Sequence, residues 1–258
     1  MKRWPFYVLW SLLLVACIIC AVITQKSFVV QPSEGEAFER LQYFYRNESR
    51  GSAYYRQQFT VSAETVIAQA DCVVIGTFTG DREPRNQSYL CDVTVHTVLV
   101  GDAAMEGATI AVYEPVPYEK YNVSLYEYVM PDMWEKLKEQ FHITQTENLW
   151  YLGTDTQYDY GNTLMQEGET YVFFLNDREL AQGMAVPTKR EFIPINSPYS
   201  KLWYRTSVPA EDYEIPPIYL SVAEAAPYEI LMDDLEIYGK FLRTKAELYQ
   251  LLGIYESN

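Results

Sequence analysis

Only two histidines occur in the chain, His96 and His142, so any catalytic or metal-binding imidazole would have to come from them. Neither has a second histidine or a cysteine at the spacing that zinc sites use. The alternating pattern around His96 places its side chain on the outer face of a predicted strand. We therefore expect two surface histidines, no metal site and no cofactor.

Acidic residues are abundant, and pairs such as Asp233 and Asp234 could perform acid–base catalysis. With 35 Asp and Glu residues, however, such neighbours arise by chance. Asp155, Asp159 and Asn162 resemble a calcium loop, but their spacing does not fit an EF-hand, which favours a chance loop. The sequence also lacks the G-x-S-x-G, Walker and G-x-G-x-x-G motifs. An enzyme is therefore the less favoured interpretation.

A group of aromatic residues between positions 118 and 151 is the most suggestive feature for binding. Such rings stack on sugars or anchor a protein partner, and they can equally pack one part of a fold onto another. We take Tyr121, Tyr126 and Trp134 as the candidate binding residues. The full group is Tyr118, Tyr121, Tyr126, Tyr128, Trp134, Trp150 and Tyr151.

The net charge of the chain limits its partners. A formal charge of −15 argues against nucleic acid, because phosphate binding requires clustered Lys and Arg. The same charge disfavours docking on anionic lipid. We expect a protein, a peptide or an envelope polymer as the partner.

One apolar run, Trp4–Ile23, is long enough to cross a membrane as a helix of about 30 Å. Lys2 and Arg3 precede it and acidic residues follow, so the positive-inside rule places the bulk of the chain outside the cytoplasm. We expect a single-pass membrane protein. Two alternatives remain open: a lipoprotein with Cys17 as its lipidated N-terminus, and a secreted protein after signal cleavage.

Cys72 and Cys91 are the only cysteines outside this apolar run. A secreted domain held by disulfides would carry more of them. Both fall in predicted strands of one hairpin centred near residue 84, where Cys72 would face a residue near 97. We therefore expect two buried thiols that are not bonded to each other.

Hydrophobic periodicity predicts a mainly β domain with added helices. A helix is expected over about 34–46, a polar turn over 81–88, and an amphipathic helix over about 132–141. Ser62 begins a short helix, and Gly253 stops a C-terminal one. The predicted strands are Cys72–Thr79, Tyr89–Val100, Thr109–Tyr113, Tyr171–Leu175 and Phe192–Ile195.

The order of strand and glycine motifs resembles a known family. The segments are Ala70–Thr77 (ADCVVIGT), Val95–Gly101 (VHTVLVG) and Gly168–Leu175 (GETYVFFL). Together they are similar to bacterial extracytoplasmic modules of the netrin-like or TIMP-like type. The resemblance covers about 62–200 and implies an OB-like five-stranded barrel. Animal inhibitors of this fold depend on an N-terminal cysteine and disulfides that this chain lacks, so protease inhibition does not carry over.

We expect four parts: a membrane segment at 1–26, a stalk with a short helix at 27–61, the OB-like β-barrel at 62–200 with an insertion at 114–163, and a C-terminal extension at 201–258. The predicted function is a membrane-anchored extracytoplasmic binding or interaction module. The alternatives are a cell-surface hydrolase that uses carboxylates and a structural subunit of an envelope complex.

Overall fold

A computed structural model describes residues 14, 17, 41–44, 53–85, 88–116, 118–120, 132, 135, 136, 139, 150–152, 160–178, 189–217 and 219–254. The chain divides into two units, residues 1–32 and 33–258. In the first unit, Leu14 and Cys17 are helical and exposed, and the rest of the expected anchor lies outside the described residues. Within the described part of the chain, no helix has the length and apolar content needed to cross a membrane.

The second unit is mainly β. Its described strands are β1 (Leu41–Phe44), β2 (Cys72–Arg85), β3 (Ser88–Val100), β4 (Thr109–Tyr113), β5 (Tyr118–Lys120), β6 (Trp150–Leu152), β7 (Thr170–Asp177), β8 (Glu191–Pro194), β9 (Lys201–Trp203) and β10 (Tyr219–Ser221). Its described helices are α1 (Ala53–Gln58), α2 (Ala63–Ala68), α3 (Val222–Ala225) and α4 (Leu235–Leu252), with a 3-10 turn at Ala103–Met105.

Five of these strands close into a barrel. The hydrogen-bonded order is β2-β3-β4-β8-β7, and β7 pairs back with β2 to close the wall. The β4–β8 pair is parallel and the other pairs of the wall are antiparallel. This confirms a mainly β fold with a closed five-stranded barrel, as expected for an OB-like domain.

A second sheet has the order β10-β1-β6-β5. It joins strands from the stalk, the insertion and the C-terminal extension. Leu41–Phe44 were expected to be helical, and this prediction is wrong because they form β1, which pairs with β6 and β10. The helical spacing of apolar residues is local, whereas both strand partners come from distant parts of the chain.

The barrel wall separates two apolar cores. Val74 and Phe78 of β2 belong to one core, whereas Val73 of the same strand belongs to the other. This alternation follows from the two-residue period of a strand. The second core is covered by α1, α2 and α4, and it includes Val66 and Phe241.

The long helix α4 has clear end signals. Asp234 accepts hydrogen bonds from the backbone N–H groups of Glu236 and Ile237, which caps the N-terminus. Gly253 ends the helix with a left-handed backbone, φ = 67°. The stop predicted at Gly253 is confirmed.

The β2–β3 hairpin is longer than predicted. Strand structure continues through Asp81–Arg85 and resumes at Ser88, so most of the expected turn over 81–88 is paired strand. Irregularities along β2 shift the register, and Val73 lies opposite Val100 while Arg82 lies opposite Cys91. Because Val73 already lies opposite Val100, Cys72 does not face a residue near 97, and this prediction of the register is wrong.

Candidate functional site

The residues predicted for binding, which are Tyr121, Tyr126 and Trp134, lie outside the described residues. His142, predicted to be a surface histidine, also lies outside them. From the predicted helix over 132–141, Asp132, Glu135, Lys136 and Glu139 are helical and exposed. The role of the aromatic insertion stays a prediction.

The predicted outward position of His96 is confirmed. Its side chain is exposed, and Nε2 lies 2.7 Å from Oγ1 of Thr77. Among the described residues, no three His, Cys, Asp or Glu side chains are grouped closely enough to hold a metal ion. Asp155 and Asp159 of the calcium-like loop lie outside those residues, while Asn162 is buried.

Asp234, one of the carboxylates considered for catalysis, has a structural role. Besides capping α4, Asp234 forms an ion pair with Arg56, with 2.9 Å between the charged atoms. Its oxygens are therefore engaged in capping α4 and in holding α1 and α4 together.

A buried polar network in the barrel supports the segment 163–166, which precedes β7. Buried side chains satisfy its backbone groups in place of a neighbouring strand. Tyr43 Oη accepts from the N–H of Leu164 at 2.5 Å, Glu114 from Met165, and Tyr171 from Gln166 at 2.7 Å. Arg82 and Lys201 donate to the carbonyls of Met165 and Thr163.

Glu114 is the anionic centre of this network. Its side chain is fully buried and forms a 2.9 Å ion pair with Arg82. Its carboxylate also accepts from the N–H of Met165 at 3.1 Å and from the thiol of Cys91 at 3.4 Å. Because every one of these contacts is internal, Glu114 stabilises the barrel and has no substrate-facing position.

A cavity of about 180 Å³ lies beside Trp203, the last residue of β9. It is enclosed by the loop that follows this strand, the segment before α4 and α4 itself. Aromatic rings dominate its wall, together with Val208 and Pro227. We call it the aromatic pocket. Its rings are those of Trp203, Tyr213, Tyr228 and Tyr238.

The loop over the pocket is held by specific hydrogen bonds. Tyr238 donates to the carbonyl of Val208 at 2.8 Å. Tyr213 donates to the carbonyl of Ile230 at 2.9 Å and accepts from the N–H of Met232 at 2.8 Å. The rings of Tyr213 and Tyr238 lie 3.9 Å apart between centroids. The pocket is therefore preformed, which limits the ordering cost of binding.

A buried ion pair forms the base of the pocket. Lys245 Nζ donates to both carboxylate oxygens of Glu229 at 3.0 Å. Glu229 also accepts from the N–H of Trp203 at 2.7 Å and from the hydroxyl of Ser207 at 2.5 Å. These contacts fix the end of β9 against α4.

The same residues place a serine beside a lysine, a pairing that some hydrolases use. Lys245 Nζ lies 2.7 Å from Ser207 Oγ. A catalytic lysine must accept the hydroxyl proton, whereas Lys245 donates hydrogen bonds to Ser207, to Glu229 and to the carbonyl of Arg205. Ser207 in turn donates a hydrogen bond to Glu229, whose carboxylate is already paired with Lys245. Lys245 is therefore placed as the cation of an ion pair that supports the pocket, and not as the base of a Ser–Lys pair.

The open side of the pocket is acidic. Asp212 and Glu214 line it and are exposed, and neither forms an ion pair with any other residue that the structure describes. Tyr228 is partly exposed, and its hydroxyl has no hydrogen-bond partner among the described side chains and backbone groups. Partial burial, with the nearby charge of Glu214, raises the pKa of Tyr228.

Sequence reasoning missed this pocket. Its residues come from β9, from the loop over 204–217 and from positions 227–238, and no motif spacing links them. The abundance of Pro and Tyr after Lys201 was the available signal.

The chain matches no protein-family model, no curated protein and no solved structure. The likeness to netrin-like and TIMP-like modules therefore stays an expectation from the strand and glycine motifs.

Proposed function

We propose that this chain is a binding module whose aromatic pocket takes up one small group of a ligand or partner. The observation that carries this proposal is the pocket itself. Hydrogen bonds from Tyr213 and Tyr238 hold its loop in place, while Tyr228 leaves ring and hydroxyl accessible. Preformed concave sites with several aromatic rings and a few polar groups are typical of binding sites.

The hydrolase alternative has less support. Glu114 and Glu229 are saturated by internal donors, and Asp234 caps a helix. Asp212 and Glu214 lie on an exposed surface without a partnered nucleophile among the described residues. The aromatic insertion around Tyr121, Tyr126 and Trp134 remains a second candidate surface for the same binding role.

The proposed location is the outer face of a membrane, with the apolar run Trp4–Ile23 as the anchor and the bulk of the chain extracytoplasmic. The length of this run and the preceding Lys2 and Arg3 support it. The full chain should stay in the membrane fraction and be cleaved by protease added to intact cells. Recovery from the cytosol, or protection from external protease, would contradict this location.

The binding role is tested by placing a photoreactive amino acid in the full chain within producing cells. Position 208 lines the pocket and is exposed, and replacing Val208 leaves the lining carboxylates of Asp212 and Glu214 in place. Position 215, an exposed apolar site in the same loop, does not line the pocket and is the control. Irradiation should yield defined adducts from position 208 and not from position 215. Equal yields, or none from position 208, would overturn the proposal.

A further inference from the structure

We propose that the group bound in the aromatic pocket is an organic cation, an alkylammonium or a guanidinium. This inference rests on the proposed binding function and names its ligand chemistry. The cavity of about 180 Å³ is smaller than the ~300–1,000 Å³ of sites for whole metabolites or drugs. It has room for a single side chain or head group.

The charges around the pocket favour a cation. Glu229 is neutralised by Lys245 at the base, so its charge is already balanced. Asp212 and Glu214 remain, and the part of the chain that the structure describes offers neither of them a cationic partner. The lining therefore carries a surplus of about two negative charges, which attracts a cation and repels a phosphate or carboxylate.

The aromatic rings of the pocket wall also favour a positively charged ligand. Aromatic faces attract cations through their quadrupole, and Trp does so most strongly. Trp203 already holds a guanidinium of the chain itself, since the Arg205 carbon Cζ lies 4.0 Å from its ring centroid. Tyr228 is partly exposed near Glu214, and its ring meets that of Tyr213 edge to face, with 5.7 Å between centroids. No cation of the described residues lies over the Tyr228 ring.

A neutral ligand such as a sugar would use the rings and would gain nothing from the two carboxylates. The distinction is therefore measurable with matched probes. Butylammonium and butylguanidinium carry the proposed charge, and 1-pentanol has a similar size without it. Titration of the full chain in detergent, followed by ligand-observed NMR at low salt, compares them directly.

We expect both cations to bind at least about fivefold more tightly than 1-pentanol, because two carboxylates and a ring act on the charge. The charge-neutral double variant Asp212→Asn/Glu214→Gln should lose about fivefold or more of cation affinity. Glu211→Gln is the matched control, since Glu211 is exposed in the same loop but does not line the pocket. It should change cation affinity little.

A second comparison tests whether the bound cation belongs to a protein partner or to a free amine. A short acetylated peptide with one central lysine is compared with butylammonium. Tighter binding of the peptide assigns the cation to a protein partner, and equal or weaker binding assigns it to a free amine. Both results support the cation.

Equal binding of 1-pentanol and the cations, or unchanged cation affinity in the double variant, would overturn the inference while leaving a binding pocket intact. Absence of binding by all three probes would also overturn it. The proposed function would then depend on the crosslinking from position 208, which requires no knowledge of the ligand.

Discussion

Lys245 Nζ lies 3.0 Å from both carboxylate oxygens of Glu229, and each side chain is 3% exposed. This pair joins α4 to the segment that forms one wall of the aromatic pocket. Removing one partner of a buried ion pair leaves an uncompensated charge, which is strongly destabilising.

Lys245→Met should therefore lower the free energy of unfolding of the full chain by ~3–5 kcal/mol, measured by urea denaturation. Adding Glu229→Gln should restore part of this loss, because the amide oxygen can still accept from Trp203. The control is Lys240→Met, which removes an exposed ion pair with Glu236 on the same helix and should have little effect. Equal effects of Lys245→Met and Lys240→Met would contradict the buried pair.

Replacing either of two glycines with alanine should change the stability of the chain, in opposite directions for the two positions. A Cβ at Gly76 would lie 2.6 Å from Cγ1 of Val93 and 2.9 Å from the carbonyl of Thr94, so Gly76→Ala should destabilise the barrel by roughly 1–3 kcal/mol. Gly239 lies inside α4 with its nearest neighbour, Arg243, at 3.7 Å. Gly239→Ala should stabilise the chain by about 0.5–1 kcal/mol. Melting curves that shift in the same direction for both variants would refute this placement.

The two thiols of the barrel should be reduced and unreactive in the folded chain. Cys72 and Cys91 are both free and buried, as the sequence predicted. Burial raises the pKa of Cys72 to about 12 and that of Cys91 further still. Alkylation at pH 8 should therefore be slow until the chain is unfolded, and then add to both residues without a reductant. Rapid reaction of the folded chain at either residue, or a requirement for reductant, would count against it.

Lys201 should make stability depend on pH. Burial lowers the pKa of Lys201 to about 8, below its ordinary value of 10.5. Between these values the unfolded chain binds more protons at this site, so its contribution to stability rises with pH. Cys72 and Cys91 act in the opposite direction in the same range, since their pKa values are raised.

The contribution of Lys201 is therefore measured as a difference. Urea denaturation from pH 7 to 10 compares the natural chain with Lys201→Met, in which both thiols are unchanged. The stability of the natural chain relative to the variant should increase across this range. A constant or decreasing difference would mean that Lys201 is not held in a site that disfavours its charge.

Local signals predicted much of the barrel. β4 was expected at Thr109–Tyr113 and has those bounds, because a short apolar run follows the turn at Gly107. The expected Ser62 cap is also present, with Oγ accepting from the N–H of Thr65. Such signals reside within a few neighbouring residues, so one sequence is enough to read them.

The second sheet and the pocket could not be predicted in this way. β1 depends on partners near residues 151 and 220, and the pocket combines Trp203 with Tyr228 and Tyr238. Nothing in the spacing of these residues indicates that they meet. The aromatic insertion attracted the binding prediction because its rings are close in sequence.

The central claim is that the aromatic pocket is where this chain binds, and Tyr228 is its accessible ring. The most direct measurement combines the photoreactive amino acid at position 208 with either Tyr228→Ala or Tyr204→Ala. Tyr204 is a matched control, because it is also partly buried against the same core but does not line the pocket. We expect the adduct yield from position 208 to fall severalfold with Tyr228→Ala and to stay unchanged with Tyr204→Ala, at similar melting temperatures. Equal yields in the two variants would contradict the account.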